Sequence, residues 1–283
     1  MAQLIISPRP TLSKLNTVEG VKAGETAKVR LSNGPRYEEI KLVTNYDIAA
    51  SDTRIRLSLT ADEIYNVKAK DLAMIQRFRK LPVTANALVI PFADASLLHR
   101  ADQRHTALDT GQFDNNILEI DIPASVDSPT MKGRAVTAPM RMMQNNEGQT
   151  VPAPRVVRPF LKYHHITATS SGEVQWLTMP KSPTRKIKAI HFLSDAMGEL
   201  TIKRNTGTIF EATLTENNEY LQRKGFAPQN GVYHFFPLAS RLLEDIFHTQ
   251  ASGELEFVLN LTKAPTNGRI EVLTEWYDAE PAA

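Results

Sequence analysis

The sequence predicts an all-β protein of two tandem eight-stranded sandwiches, and three observations carry that prediction. Apolar and polar residues alternate with period two in many short runs, the pattern of strands with one face in a core. The second half of the chain repeats the pattern of the first at a shift near 145–150 residues that drifts to 144 and then 137 toward the end of the copy. The chain also has room for two cores: 283 residues at 42% hydrophobic and 23% charged is ordinary globular composition, at about 100–200 residues per domain.

The repeat fixes the order of the elements. Ala23-Gly24-Glu25 falls on Ser171-Gly172-Glu173, and Glu39-Ile40-Lys41-Leu42-Val43 on Ala189-Ile190-His191-Phe192-Leu193. The stretch from Ile55 to Arg79 falls on Leu200 to Lys224, pairing Ile64-Tyr65 with Ile209-Phe210. Asn86 through Ser96 falls on Asn230 through Ser240, and Leu118-Glu119-Ile120 on Leu255-Glu256-Phe257. Solenoid repeats run about 20–50 residues, so a period this long means a whole domain present twice.

Within the first copy the expected strands carry Ala27/Val29/Leu31, Ile40/Leu42, Ile55/Leu57/Leu59 and Leu118/Ile120/Ile122. The second offers Val174/Trp176, Ile190/Phe192, Leu200/Ile202, Leu255/Phe257/Leu259/Leu261 and Ile270/Val272/Trp276. Turn chemistry separates them at Ser32-Asn33-Gly34-Pro35, Thr206-Gly207-Thr208 and Pro265-Thr266-Asn267-Gly268. Two short helices interrupt each copy. Leu72, Ile75 and Phe78 form one apolar stripe, with Asp71 before and Arg77, Arg79 and Lys80 after. The counterpart has Glu216 and Glu219 early, Arg223 and Lys224 late and Gly225 at C′, charge orders that suit the helix dipole. Ser96 and Ser240 are read as N-caps of the second helix of each copy.

About eight strands in each copy suggest a jelly roll or another eight-stranded sandwich. The expected boundaries are a first jelly roll over 9–141, a linker over 142–155 and a second jelly roll over 156–278. The copies differ in their last connection. Leu261 to Arg269 is a tight loop, whereas Pro123 to Pro154 is either one strand over Met131–Thr137 plus linker, the preferred reading, or a functional surface loop.

Composition and motifs close several doors. Absence of cysteine excludes disulfides, thiolate catalysis and Cys-ligated metal. A net charge of +2 gives no global reason to expect nucleic acid as a partner. No apolar run approaches the roughly 18–20 residues of a spanning helix. Met1–Pro8 lacks a basic region, and its apolar stretch is too short for a signal peptide. The expectation is a protein that works where it is made, or leaves by a route other than secretion. Phosphate-cradling and nucleophile-elbow motifs are missing.

Seven histidines remain as candidate ligands: His99, His105, His164, His165, His191, His234 and His248. Two ligands on one strand should be two residues apart to share a face, and adjacent His164 and His165 are not. Surface or satisfied-core histidine is the favoured reading. Asp109-Thr110-Gly111-Gln112-Phe113-Asp114-Asn115-Asn116 clusters oxygen donors of the kind Ca²⁺ takes, without EF-hand spacing, and an ordinary turn is preferred. Arg155, Arg158 and Lys162 with Phe160 and Tyr163 form a small basic-aromatic patch, read as a linker or subunit contact rather than a membrane or nucleic-acid surface. Trp176 and Trp276 are read as core. Met140, Met142 and Met143, near Asn145 and Asn146, are an adaptable contact surface or loop filler. No catalytic, cofactor-binding or metal residue is assigned, and a structural Ca²⁺ is not expected.

The chain resembles the major capsid proteins of corticoviruses, tailless icosahedral bacteriophages with an internal membrane. The resemblance rests on Leu12-Ser13-Lys14-Leu15-Asn16-Thr17-Val18 leading to Gly24, on Tyr37-Glu38-Glu39-Ile40, and on Arg54-Ile55-Arg56-Leu57 through Tyr65 to Asp71-Leu72. It continues in Arg185-Lys186-Ile187-Lys188-Ala189-Ile190-His191 and in Ile270-Glu271-Val272 with its following aromatic pair. It covers nearly the whole chain and fits least over 123–154. It implies a non-enzymatic double jelly-roll coat protein, homotrimeric, building an icosahedral shell around a membrane and double-stranded DNA. The implied partners are further copies, other capsid proteins, and internal membrane proteins or lipid, without sequence-specific nucleic acid binding. The implied location is the virion capsid, assembled in the host cytoplasm. The Leu4-Ile5-Ile6 segment before Pro8 and Pro10 is then expected to reach an adjacent subunit or the membrane. Rival readings are a two-domain carbohydrate-binding module, expected to be monomeric with an exposed aromatic platform, and a bicupin-type metalloenzyme with bound metal. A minor vertex protein of the same virion is the third.

Overall fold

A computed structural model describes residues 9–281, apart from 112, 141, 145–147, 153–154 and 250–253. The chain forms two units, one of residues up to Gln76 and Pro82–Pro159, the other of Arg77–Leu81 and Phe160–Asp278.

The strands of the first unit are β1 (Thr11–Lys14), β2 (Thr26–Leu31), β3 (Arg36–Thr44), β4 (Arg54–Leu59), β5 (Asp62–Lys68), β6 (Ala87–Pro91), the two-residue β7 (Leu108–Asp109), β8 (Asn116–Asp121) and β9 (Met131–Ala138). A hairpin of β10 (Met142–Gln144) and β11 (Thr150–Pro152) follows. Burial alternates along them, for example buried Ala27, Val29 and Leu31 between exposed Lys28 and Arg30. One sheet has the order β1-β9-β3-β6, the other β2-β8-β4-β5. Apolar side chains from both, such as Ile40, Leu42, Ile90, Ile55, Leu57 and Leu118, are removed from solvent.

The second unit uses β12 (Arg155–Thr167, from Phe160 on), β13 (Gly172–Gln175), β14 (Arg185–Leu193), β15 (Met197–Arg204), β16 (Gly207–Thr213), β17 (Tyr233–Phe235), the short β18 (Phe247–His248), β19 (Leu255–Leu261) and β20 (Arg269–Pro281). Its sheets run β17-β14-β20-β12 and β13-β19-β15-β16. Trp176, Phe192, Tyr233, Phe257 and Trp276 pack between them. Setting aside the two-residue strands, the strands of each unit pair in the order 1-8-3-6 and 2-7-4-5. That is jelly-roll winding, in which successive strands cross between two antiparallel sheets.

The irregularities repeat as well. A bulge lies between Tyr37 and Glu39 on β3 and, 150 residues on, between Ile187 and Ala189 on β14. Another bulges Ile64 out of β5, opposite the step from Leu57 to Ser58, and, 145 on, Ile209 out of β16, opposite the step from Ile202 to Lys203. Residues at hairpin tips follow suit, with positive φ at Thr60 and Asn205. Bulges are built features rather than defects, so their recurrence at the shifts read from the residues identifies the units as copies.

The helices are α1 (Ala69–Phe78), α2 (Arg100–His105) and α3 (Leu214–Arg223). Thr213 caps α3 in a capping box with Glu216, and Gly225 ends it at φ +90°. At the matching position of the first copy stands Lys80, at φ +56°. Ser96 caps no helix. Its N–H and hydroxyl both donate to Asp94 Oδ1, because the nearby carboxylate is the stronger acceptor, and α2 starts four residues later behind His99. Ser240 ends a 3₁₀ turn (Pro237–Ser240), and its hydroxyl accepts from Leu242 N. The expected strand at Met131–Thr137 is β9, while 142–155, expected as linker, carries the β10–β11 hairpin.

Candidate functional site

Alternation places His191, between Ile190 and Phe192, on the face of β14 that points away from the core. His234 is placed likewise on β17. The register sets His191 opposite both His234 and Leu273. Both histidines are fully buried, beneath the Phe78 ring, whose centroid stacks 4.2 Å from that of His234.

The hydrogen bonds assign the protons. Gln229 N donates to His234 Nε2 at 3.2 Å, so that nitrogen is unprotonated and the hydrogen sits on Nδ1. His234 Nδ1 then donates to His191 Nδ1 at 2.7 Å, leaving His191 Nε2–H to donate to Glu275 Oε1 at 2.9 Å. Arg79 Nη2 donates to both Glu275 oxygens, at 3.0 and 3.1 Å. Burial pushes the Glu275 carboxyl up, but Arg79, the His191 hydrogen bond and Lys188 outweigh it and hold its pKa at about 2. Burial, helped by neighbouring His191, lowers His234 well below its ordinary value.

The two Nδ1 atoms are too close to share a cation. Tetrahedral zinc with Zn–N of about 2.0–2.1 Å sets its nitrogens roughly 3.3 Å apart. Both imidazoles and the Glu275 carboxylate are buried, so the network locks a proton arrangement in place rather than offering one to a substrate.

The other histidines are dispersed. His164 lies between the rings of Trp176 and Trp276, each 5.9 Å away. Burial, then Arg185 and Lys162, brings its pKa down to about 4. His165, His248 and His99 are exposed, and His105 closes α2. Among the described residues no group of three or more His, Asp or Glu side chains is placed to hold a metal ion.

The oxygen-rich run is a turn tied by hydrogen bonds to the Asn33–Pro35 turn beside it. Thr110 donates to Pro35 O, Asn116 to Asn33 Oδ1 and Phe113 O, and Asn33 to Asp114 O; Gln112 lies outside the described residues. The basic-aromatic patch lies on a strand, with Arg158 ion-paired to Asp62 at 3.0 Å. Phe160 stacks on Trp276 at 5.1 Å. The side chain of Arg155, the arm at residues 1–8, Asn145, Asn146 and the side chain of Met143 lie outside what is described. Both tryptophans are core, at 3% exposure. Met140 packs against Gly111.

Two sheet faces escaped notice in the residues alone. On the outer face of β1-β9-β3-β6, Lys14 stands opposite Arg134 and Arg134 opposite Lys41, a row of three cations across three strands. Lys132 is two residues away and opposite Val43. These four cations are exposed and form no ion pair among the described residues, and Glu39 is the one carboxylate among them. The outer face of β13-β19-β15-β16 has the opposite sign. Glu173 and Glu199 flank Asn260, Glu211 faces Thr201, and Glu256 faces Lys203. Outward alternation marks each residue separately, but only the pairing register gathers them.

Two family models match in tandem: viral coat protein P2 N-terminal domain over residues 12–138 and viral coat protein P2 C-terminal domain over 158–280. The structure is similar to that of the major capsid protein P2 of bacteriophage PM2. The TM-score is 0.80 at 15% identity, covering 96% of this chain and 98% of that one. It is similar to the major capsid protein of Sulfolobus turreted icosahedral virus, at TM-score 0.61 and 12% identity over 96% and 97%. The capsid of the virus PBCV-1 gives TM-score 0.56 at 10% identity over 99% and 94%. At these identities the likeness is one of fold. No curated protein matches the chain by sequence.

Proposed function

This chain belongs to the viral coat protein P2 family, and from that premise we propose that it trimerises into capsomers that tile an icosahedral shell. A coat protein of this family is a structural protein of the virion and not an enzyme. The observation that carries the reading is the tandem match of both family domains, each falling on one of the two rolls.

The doubling supplies a physical reason for a trimer. Three chains with two similar rolls each present six rolls about a threefold axis, a nearly hexagonal tile that repeats its lateral contacts on a curved lattice. Trimer contacts are then expected to be large and lattice contacts smaller and wetter. The shell so built encloses a membrane and double-stranded DNA, and assembly takes place in the host cytoplasm.

Light scattering behind a sizing column, with metal analysis on the same peak, tests the proposal. The expected result is a mass of three 31.6 kDa chains without stoichiometric transition metal, and electron microscopy of particles follows. A monomer at every concentration overturns the trimer.

A further inference from the structure

We propose that the cationic outer face of β1-β9-β3-β6 is a docking surface for a second copy of this chain, whose acidic outer face of β13-β19-β15-β16 covers it. The inference rests on the trimer reading above and names the surfaces that would close it.

The cationic face is costly to leave bare. Like charges directly opposite on neighbouring strands repel, and Lys14, Arg134 and Lys41 are so placed with strands about 4.8 Å apart. Beside them Leu12 is 62% and Val43 43% exposed. A groove of about 600 Å³ runs between Lys14–Val18 and Met131–Arg134, and it contains no acidic residue. An occupant must bring carboxylates and some apolar surface.

The duplication shows what this face looks like when covered. By strand register, which shifts the β6 match one residue on from the sequence alignment, the second-unit positions matching Lys41, Val89 and Arg134 are His191, His234 and Leu273; all are at 0% exposure, and the Phe78 ring covers the two histidines. The same sheet face is closed in one copy and open in the other.

The complement is on the same chain. The acidic face carries Glu173, Glu199, Glu211 and Glu256 against the one Lys203. These carboxylates form no ion pair among the described residues, and Ile209 beside them is 48% exposed. Cationic and acidic faces lie on different units, so the contact is head-to-tail. Such a heterologous contact closes into a ring when the rotation per copy is one third of a turn.

Charge reversal tests it. Lys14→Glu with Arg134→Glu, and separately Glu199→Lys with Glu211→Lys, are expected to raise the half-assembly concentration at least about tenfold, because like charges then meet. Circular dichroism and melting check that each variant is folded. The chain carrying all four changes is expected to regain the three-chain mass. Wild type is expected to weaken from about 0.1 M to 1 M salt as the charges are screened.

The chain has no cysteine, so Lys41→Cys with Glu211→Cys gives a second measurement independent of charge reversal. A flexible bismaleimide should produce two- and three-chain bands. Reversal variants that keep the wild-type mass, or a cross-linked sample with only one-chain bands beside a trimeric wild type, overturn the docking surface and leave the trimer standing. Sedimentation of wild type with phosphatidylglycerol vesicles, lost in Lys14→Glu/Arg134→Glu while the trimer persists, overturns it too and assigns the face to lipid. A monomeric wild type instead overturns the trimer reading itself.

Discussion

Replacing Glu275 by Gln isolates the charge in the buried network. The change is isosteric, and the remaining oxygen can still accept from His191 Nε2–H, whereas the new amide turns its donors toward Arg79. The guanidinium, 4% exposed, is then left buried without a counter-charge. Removing one partner of a buried pair costs about 3–5 kcal/mol. The pKa of about 2 at Glu275, against an ordinary 4.5, converts to about 3 kcal/mol for the ionised form, in agreement. At about 4 °C per kcal/mol for a domain of this size, the melting point should fall by roughly 12–20 °C. Urea unfolding followed by tryptophan fluorescence is the assay, because Trp176 and Trp276 both lie in the second unit and report that unit alone. Glu275→Gln combined with Arg79→Gln should recover much of the loss, since that pair strands no charge and the oxygen at position 275 still accepts from His191 Nε2–H. A Glu275→Gln midpoint equal to that of wild type, or a double variant as unstable as the single, would refute the reasoning.

The remaining predictions use the same measurement. His234 binds no second proton in the fold, as Nδ1 already carries one and Nε2 faces a donor, but the unfolded chain takes one below about pH 6.5; stability should therefore fall as pH drops through 6.5, by at most about 1.4 kcal/mol per pH unit for this group. His164, lowered to about 4, adds a loss of the same sign between pH 6.5 and 4, reduced by its partial exposure. Glu275 adds its own only between 4.5 and 2. A urea midpoint flat from pH 7.5 to 5 would contradict the proton assignment. Lys80→Gly should stabilise by a few tenths to about 1 kcal/mol, since Lys80 holds a left-handed φ of +56° where the second copy uses Gly225. Gly133→Ala should destabilise by about 1–3 kcal/mol, as its Cβ would lie 2.7 Å from Leu15 Cδ2 and 3.0 Å from Leu15 Cβ. Trp276→Phe should cost under about 1.5 kcal/mol because the indole N–H has no acceptor.

Much of the architecture is local and so was legible. Val29, Leu57, Leu118, Leu200 and Leu259 sit at alternate positions and all are buried, because a pleated strand sends neighbours to opposite faces whatever surrounds it. Helices α1 and α3 carry their charge order in adjacent residues. The Ser96 cap failed because Asp94, two residues away, competes for the same hydroxyl and amide, an outcome that residue type alone does not rank.

The sequence by itself determined that the chain is duplicated, that each copy is a two-faced β-sandwich, and which side chains turn inward, since those properties depend on residue spacing along one strand. Tertiary structure alone decided what happens on the outward faces. His191, His234 and Glu275 have outward alternation yet are sealed beneath Phe78 and Arg79, while Lys14, Lys41 and Arg134 have the same alternation and stay in water. The winding joins first, eighth, third and sixth strands, so residues about 120 positions apart become neighbours at about 5 Å. Their charges act through distance in space, which register sets and spacing along the chain does not.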